Sequence, residues 1–433
     1  MIEAPTIQLL IVSLVCCFIV GTYNIYYSLG DLESNNSTLS NWNNIALYAS
    51  FSLCSIVSGS AHNYLGPRIS VIFGCIPYMI YVCCLWLYRE FKVDFLPVVG
   101  SVILGAGASL LWTAAGTIIM SYPMENQKGR FFGIFWILFN LGSLISGFLP
   151  FFSTQSNYIT IWFLCLMAFG LCLSYFMVSP ARVIREDGSR VTSKTGFNMS
   201  QELNQIRRTL LNKNILLLFP IFFYTNFYYS YRLGHFSHEL FTVRTVALNT
   251  VCYWASQMLG AFTFGQYLDN PLCVRSKKAR LGLLFVAFFT TATWLGCLFL
   301  ELNNPDVISL VSSRIDILDD SYGASLVLML LSGFTDATVQ SWCYWMMGAM
   351  TNNAMILSRY AGFYKAIQSG GTAVAWYISL SRISPITWII VICALFYVAL
   401  GFAYVATKNI SDTNYHITSH DIDDYPDSTT YDP

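Results

Sequence analysis

The sequence predicts an all-α membrane protein of twelve transmembrane helices in two pseudo-symmetric six-helix halves. Three observations carry this reading. Of 433 residues, 55% are hydrophobic and only 11% charged, whereas soluble domains carry about 25% charged residues. A water-soluble chain this apolar would expose large greasy patches and aggregate. The apolar residues gather into twelve runs of helical length, and the longest polar stretch, 179–213, divides those runs six and six.

The runs predict helices over 8–30, 41–61, 69–88, 94–121, 130–151, 157–178, 214–232, 245–268, 280–300, 322–348, 356–380 and 385–406. They must be helical, because lipid offers no partner to free backbone groups. The alternating ten-residue segments of a membrane β-barrel are absent. Residues 1–178 then form the first half, 179–213 a basic linker, 214–406 the second half and 407–433 a tail. Met1–Gln8 has no Lys or Arg and precedes a run too long for a signal peptide, so the first helix reads as an uncleaved anchor.

Basic residues set the orientation. With the N-terminus in the cytoplasm, sixteen Lys and Arg fall on the cytoplasmic side, among them Arg68, Lys128, Arg130, Arg275 and Arg359. Six fall opposite: Arg89, Lys92, Arg232, Arg244, Arg314 and Arg382. Both termini are therefore expected in the cytoplasm. Nothing in the sequence chooses between the plasma membrane and an endomembrane such as vacuole or endoplasmic reticulum. The first outer loop, Asn35-Asn36-Ser37-Thr38, carries two overlapping N-glycosylation sequons, at Asn35 and Asn36. The tail from Thr407 is acidic and Ser/Thr-rich, a composition that predicts disorder. Twelve of the thirteen cysteines lie in apolar runs, which reads as apolar filling rather than disulfides.

An internal repeat supports two related halves. Helix five begins Arg130-Phe-Phe-Gly133-Ile-Phe-Trp136 and continues to Asn140 and Gly142; helix eleven begins Arg359-Tyr-Ala-Gly362-Phe-Tyr-Lys365 and continues to Ser369 and Gly371. The Arg and both Gly coincide at one constant offset. Helices two and eight also end alike, at Tyr64-Leu65-Gly66-Pro67 and Tyr267-Leu268-Asp269-Asn270-Pro271. Parallel repeats of this kind mark the major facilitator fold.

Ionisable groups at membrane depth are functional candidates, since each costs several kcal/mol unless paired or hydrated. Asp336 in helix ten and Lys365 in helix eleven are two such groups. We expect them to form an intramembrane ion pair, either as a gate or coupling site or as a permanent pair that fixes helix register. Asn24, Asn140, Gln257, Gln340 and Gln368 are candidate cavity or helix-bridging amides. His235-Phe-Ser-His238-Glu239 reads as a plain loop after helix seven. No P-loop, nucleophile elbow, HExxH or Rossmann pattern is present. The sequence thus points away from an enzyme and calls for no cofactor or metal. Zero net charge gives no case for nucleic acid.

Several stretches resemble the Unc-93-like proteins of the major facilitator superfamily, most closely the fungal kind. They are Gly105-Ala-Gly-Ala-Ser-Leu-Leu-Trp112 through Gly116, Ser121-Tyr122-Pro123, Lys128-Gly129-Arg130, Asp336, Tyr344-Trp345 with Gly348, and Tyr360 through Gly370. The resemblance implies the facilitator fold and two functional classes. One is a secondary transporter or ion-homeostasis protein for an unknown small solute or ion. The other is a non-transporting regulator or trafficking chaperone of another membrane protein or ion channel. The turn after helix two, Gly66-Pro67-Arg68, lacks the Asp-Arg core of the usual facilitator signature. Membrane lipids are the remaining expected partner.

Overall fold

The computed structural model describes residues 4–33, 37–148, 156–191, 199–303, 314–319, 322–381 and 383–414. Twelve long helices run in order: α1 (5–33), α2 (37–65), α3 (67–91), α4 (Phe95–Ser121), α5 (Lys128–Phe148), α6 (Ser156–Ser174), α7 (213–239), α8 (Val243–Leu268), α9 (Arg275–Asn303), α10 (Tyr322–Met350), α11 (Ala354–Ser379) and α12 (Pro385–Thr407). Among the described residues there is no strand, only the isolated bridges Ile184–Arg190 and Phe241–Ile315. Asn35, Asn36 and the tail from residue 415 lie outside the described residues.

Among the described residues, six helical stretches are long and apolar enough to cross a membrane by composition alone, and α11 is not one of them. Its polar side chains, from Ser358 and Arg359 through Lys365, Gln368 and Thr372, are buried inside the bundle. Interior position, not lipid, is the solvent of this helix.

Several element boundaries differ from the sequence expectation for local physical reasons. Helices α2 and α3 run into one another and are separated only at Gly66, whose φ of +75° suits a residue without Cβ. Pro67 then opens α3, where a missing N–H costs nothing. Residues Cys17–Gly21 of α1 are π-helical. The bulge lies where α5 closes in, since a Cβ on Gly142 would sit 2.1 Å from the Cys17 carbonyl oxygen. The expected loop after helix seven is instead a π-helical extension, Ser230–Glu239. The polar linker carries its own amphipathic helix, Met199–Leu210. Residues 408–414, expected to belong to a disordered tail, dock on the bundle through Asn409, Asp412, Thr413 and Asn414.

The halves meet along α2 with α11 and α5 with α8. Both seams depend on glycine. A Cβ on Gly59 would lie 2.6 Å from the Arg359 Cα, and one on Gly129 would lie 2.5 Å from the Gly265 carbonyl oxygen. Small residues let backbones touch where lipid supplies no hydrophobic drive between helices. These contacts sit at the end of the bundle that also carries the linker, here the linker end.

Candidate functional site

A cavity of about 130 Å³ lies between the halves. The first half contributes Tyr23 and Asn24 of α1, Tyr48 and Phe51 of α2, Trp112 of α4, and Trp136 and Phe139 of α5. The second half contributes Asn226 and Tyr229 of α7, Gln257 of α8, Gln340 of α10, and Lys365 and Gln368 of α11. Lys365 is the one charged residue among the described lining residues.

Lys365 is 4% exposed. Its Nζ donates to Gln368 Oε1 at 2.7 Å. The rest of its charge faces aromatic rings, at 4.4 Å from the Trp112 centroid, 5.1 Å from Tyr364 and 5.6 Å from Tyr344. Ring faces stabilise a cation electrostatically, more so when water is excluded.

The expected direct ion pair between Lys365 and Asp336 does not form; two amides stand between them. Gln368 Nε2 donates to Gln340 Oε1 at 3.3 Å, and Gln340 Nε2 donates to Asp336 Oδ1 at 2.8 Å. Asp336 is fully buried and saturated by neutral donors. Its Oδ2 accepts from Tyr253 at 2.5 Å, Tyr229 at 2.8 Å and Gln257 at 3.0 Å. A carboxylate with four donors has no vacancy for an ammonium. Its counter-charge is one layer out: the Arg232 guanidinium lies 3.8 Å from the Tyr253 ring centroid and 5.0 Å from that of Tyr229. Lysine, two amides, carboxylate, two phenols and arginine thus form one connected polar network.

The other expected amides divide. Asn24, Gln257, Gln340 and Gln368 line the cavity. Asn140 is not among the lining residues; it donates to Gln257 Oε1 at 3.3 Å, beside the 2.7 Å bond from Trp136 Nε1. Asn24 donates to Ser143 Oγ at 3.4 Å, joining α1 to α5. His235 belongs to a separate cluster, with Nε2 3.0 Å from Glu301 Oε1, which also accepts from Tyr231 at 2.9 Å. Sequence reading missed Arg232, Tyr229, Tyr253 and Trp112. An arginine near a helix end reads as a side chain reaching for water, whereas Arg232 lies within the π-helical turn Ser230–Glu239 and packs its guanidinium on the Tyr253 and Tyr229 rings.

The linker end is sealed. Glu125, between α4 and α5, pairs with Arg275 at 2.6 Å and accepts from Asn352, Thr413 and Asn414. Lys128 Nζ donates to the Gly348 carbonyl at 2.5 Å and to Asn352 Oδ1 at 3.1 Å. Asp269, in the turn after α8, accepts the backbone N–H groups of Gly129 and Arg130 at 2.8 and 2.5 Å. It thereby caps the start of α5 from the opposite half, where the helix dipole favours a negative charge. Burial pushes the Asp269 carboxyl up to about 6 despite those two bonds. Burial also pushes Glu125 up, but its Asn352 bond, the Arg275 charge and the donors at Asn414 and Thr413 outweigh it and hold the carboxyl below its ordinary value.

The chain matches the family described as "Ion channel regulatory protein UNC-93" over residues 42–405. It is 32% identical over 430 residues to UNC93-like protein 1 of Arabidopsis thaliana, covering 95% of this chain and 93% of that one. It is 33% identical over 379 residues to an UNC93-like protein of Schizosaccharomyces pombe, covering 85% and 75%. Among solved structures it is similar to the proton:xylose symporter XylE bound to 6-bromo-6-deoxy-D-glucose, with a TM-score of 0.65 at 12% identity, covering 93% of this chain and 95% of that one. The fucose:proton symporter FucP of E. coli gives a TM-score of 0.62 at 14% identity, covering 93% and 99%. At these identities the two symporters establish the major facilitator fold.

Proposed function

We propose, for a chain that belongs to the UNC-93 family and is a multi-pass membrane protein of the major facilitator fold, secondary transport of a small solute bearing an anionic or acceptor-rich group. The carrying observation is Lys365, a buried cation on the floor of a cavity between the halves with no carboxylate in its lining. A cavity of about 130 Å³ is below the roughly 300–1,000 Å³ of sites for drug-sized ligands, so a small solute fits the space. The sixteen-to-six bias of basic residues supports a cytoplasmic linker end. With that end sealed, the cavity serves the opposite face of the membrane.

In this reading the solute's acceptor takes the Lys365 ammonium from Gln368 Oε1. Gln368 Oε1 is then released, and the bonds its Nε2 makes to Thr225, Asn226, Tyr364 and Gln340 can redistribute. Through Gln340 the change reaches Asp336, and through Tyr229 and Tyr253 it reaches Arg232 on α7. Opposite access requires rupture of the Glu125–Arg275 pair and the Asp269 cap. Differential contacts in the two states are what couple binding to such a switch.

Flux into proteoliposomes tests the proposal. A panel of small anions and polar metabolites should contain at least one solute that enters faster than into empty vesicles, and Lys365→Ala should abolish that uptake. A panel without flux, together with an inert Lys365→Ala, would sink it.

A second reading, regulation or trafficking of another membrane protein or ion channel, draws support from the family's description and from the turn Gly66-Pro67-Arg68, which lacks the signature aspartate. Crosslinking in native membranes should then return one dominant channel-like partner whose level or location changes on deletion. Unchanged partner behaviour counts against that reading.

A further inference from the structure

A second and larger cavity, about 460 Å³, opens at the linker end of the first half, outside the transport site. Its walls come from the end of α2 and start of α3 (His62 to Ile69), the end of α4 (Thr117, Tyr122), the segment after α6 (Met177 to Arg182) and the start of α11 (Ala354, Met355). Its volume falls within the roughly 300–1,000 Å³ range of built ligand sites.

The chemistry of the wall is one-sided. It contains Arg68 and Arg182 and no carboxylate among the described lining residues. Arg68 is held in place by its Nε, which donates to the Met177 carbonyl at 2.7 Å. Two buried polar groups in the wall have no partner among the described residues: His62 Nδ1, on a side chain 4% exposed, and the Tyr122 hydroxyl, on a side chain 1% exposed. Buried polar atoms are almost always satisfied, so two orphans on residues that line one cationic cavity call for a ligand that reaches them on binding. Both can donate a hydrogen bond. Two guanidinium groups with two neutral donors match an oxyanion with several acceptor oxygens. At the mouth, Tyr64 (66% exposed) and Ile69 (42%) of the wall, with Tyr175 (60%) and Phe176 (66%) just before Met177 in the chain, form an apolar and aromatic rim. Tyrosines of this kind sit at the headgroup level of a bilayer, and basic pockets between membrane helices suit phosphorylated headgroups.

We propose that this cavity is a binding site for a phosphate ester, with the phosphate held by Arg68, Arg182, His62 and Tyr122, and that the rim receives the chains when the ester belongs to a lipid. The site borders α11 as well as the first half, so its occupant also contacts both halves at their sealed end.

The test uses the full chain in phosphatidylcholine nanodiscs, with and without phosphatidylinositol 4-phosphate, read by thermal midpoint and by native mass spectrometry of retained lipid. The phosphoinositide should raise the midpoint and be retained over phosphatidylcholine. Arg182→Gln with Tyr122→Phe should weaken that preference about tenfold, the loss of two charge-assisted or donor contacts. Arg182→Gln alone is the fallback if the double variant melts early without ligand. Soluble inositol phosphate added to pure phosphatidylcholine discs separates the sources. A midpoint shift there identifies a soluble ester as ligand of the same site; a shift only with the lipid identifies the headgroup. The proposal is overturned if neither arm shows a preference for phosphate, or if the preference survives both substitutions.

Discussion

Helices α5 and α11 carry the same repeat and face the same cavity from opposite halves. Gly133 of α5 packs against the Ala261 carbonyl of α8, and Gly362 of α11 packs against the Ser55 carbonyl of α2. Those positions serve the seam between halves and have kept their residue. The cavity-facing positions have not. Trp136 and Phe139 of α5 stand where α11 carries Lys365 and Gln368. At these positions α5 therefore offers ring faces, and α11 offers a charge and an amide. The Lys365 ammonium over the Trp112 ring joins the two walls. Symmetry builds the scaffold, and departure from symmetry makes the chemistry.

The comparison breaks hardest at the carboxylate. Asp336→Asn replaces an acceptor of four hydrogen bonds with a group that itself donates, and it leaves Arg232 without its counter-charge. Loss of one member of a buried charge network costs roughly 3–5 kcal/mol. The thermal midpoint should fall steeply. Asn140→Ala, in the first half, loses one long bond to Gln257 and should cost about 1 kcal/mol. Equal losses from the two variants would contradict a polar network centred on the carboxylate of the second half.

Lys365→Met separates function from scaffold. A methionine fills similar space without a charge, and removal of a buried ammonium does not lower stability when its surroundings are rings and a single amide. Solute affinity should drop by roughly 1.5–3 kcal/mol, about 10- to 150-fold. Flux should fall while the midpoint stays level or rises. A large drop in midpoint with intact flux would instead make Lys365 a structural cation.

The two halves also differ in the acid each contributes to the seal. Glu125 comes from the first half and is held below its ordinary value, so its contribution is present when ionised and is lost as pH falls through that depressed value. Asp269 comes from the second half and is pushed up to about 6 from 3.8. The sealed state therefore binds more protons there than an open, hydrated one, and it loses stability as pH rises from about 4 to about 6. Closure should be strongest at about pH 4, where the two windows overlap, and weaken on both sides. Spin-label distances across the linker end, followed against pH, check this. Asp269→Asn should remove the change on the alkaline side, and Glu125→Gln that on the acid side. A pH-independent distance in the unaltered protein would contradict both assignments.

The scaffold was legible because its causes are periodic. Twelve apolar runs, one polar divider and one repeated Arg-Gly-Gly spacing follow from lipid and from helix contact, and each leaves a trace along the chain. Lys365 and Asp336 were legible as costly residues, but not their partners. Four neutral donors converge on Asp336 from α7, α8 and α10, and no local spacing encodes that convergence. The inward position of Arg232 was hidden for the same reason: it lies in a π-helical turn at 230–239, and the sequence around it reads as an ordinary helix end. The orphaned His62 and Tyr122 emerge only when the ends of α2 and α4 meet.

Trp136→Phe is the mildest probe and the most specific to the comparison. The ring of Trp136 stacks on Phe132 at 5.0 Å, a contact that phenylalanine preserves in large part. What is lost is the 2.7 Å bond from Nε1 to Gln257 Oε1. Asn140 then remains as the donor to that oxygen, at 3.3 Å. One hydrogen bond of this kind is worth about 1 kcal/mol, so the midpoint of a chain this long should fall by only about 1 °C. Gln257 also donates to Asp336, so its orientation passes to the carboxylate only through this one amide. Flux should therefore persist with a small change in apparent affinity. If Trp136→Phe cut flux as deeply as Lys365→Met, the aromatic wall would be the binding surface, and the division of labour between α5 and α11 would have to be reversed.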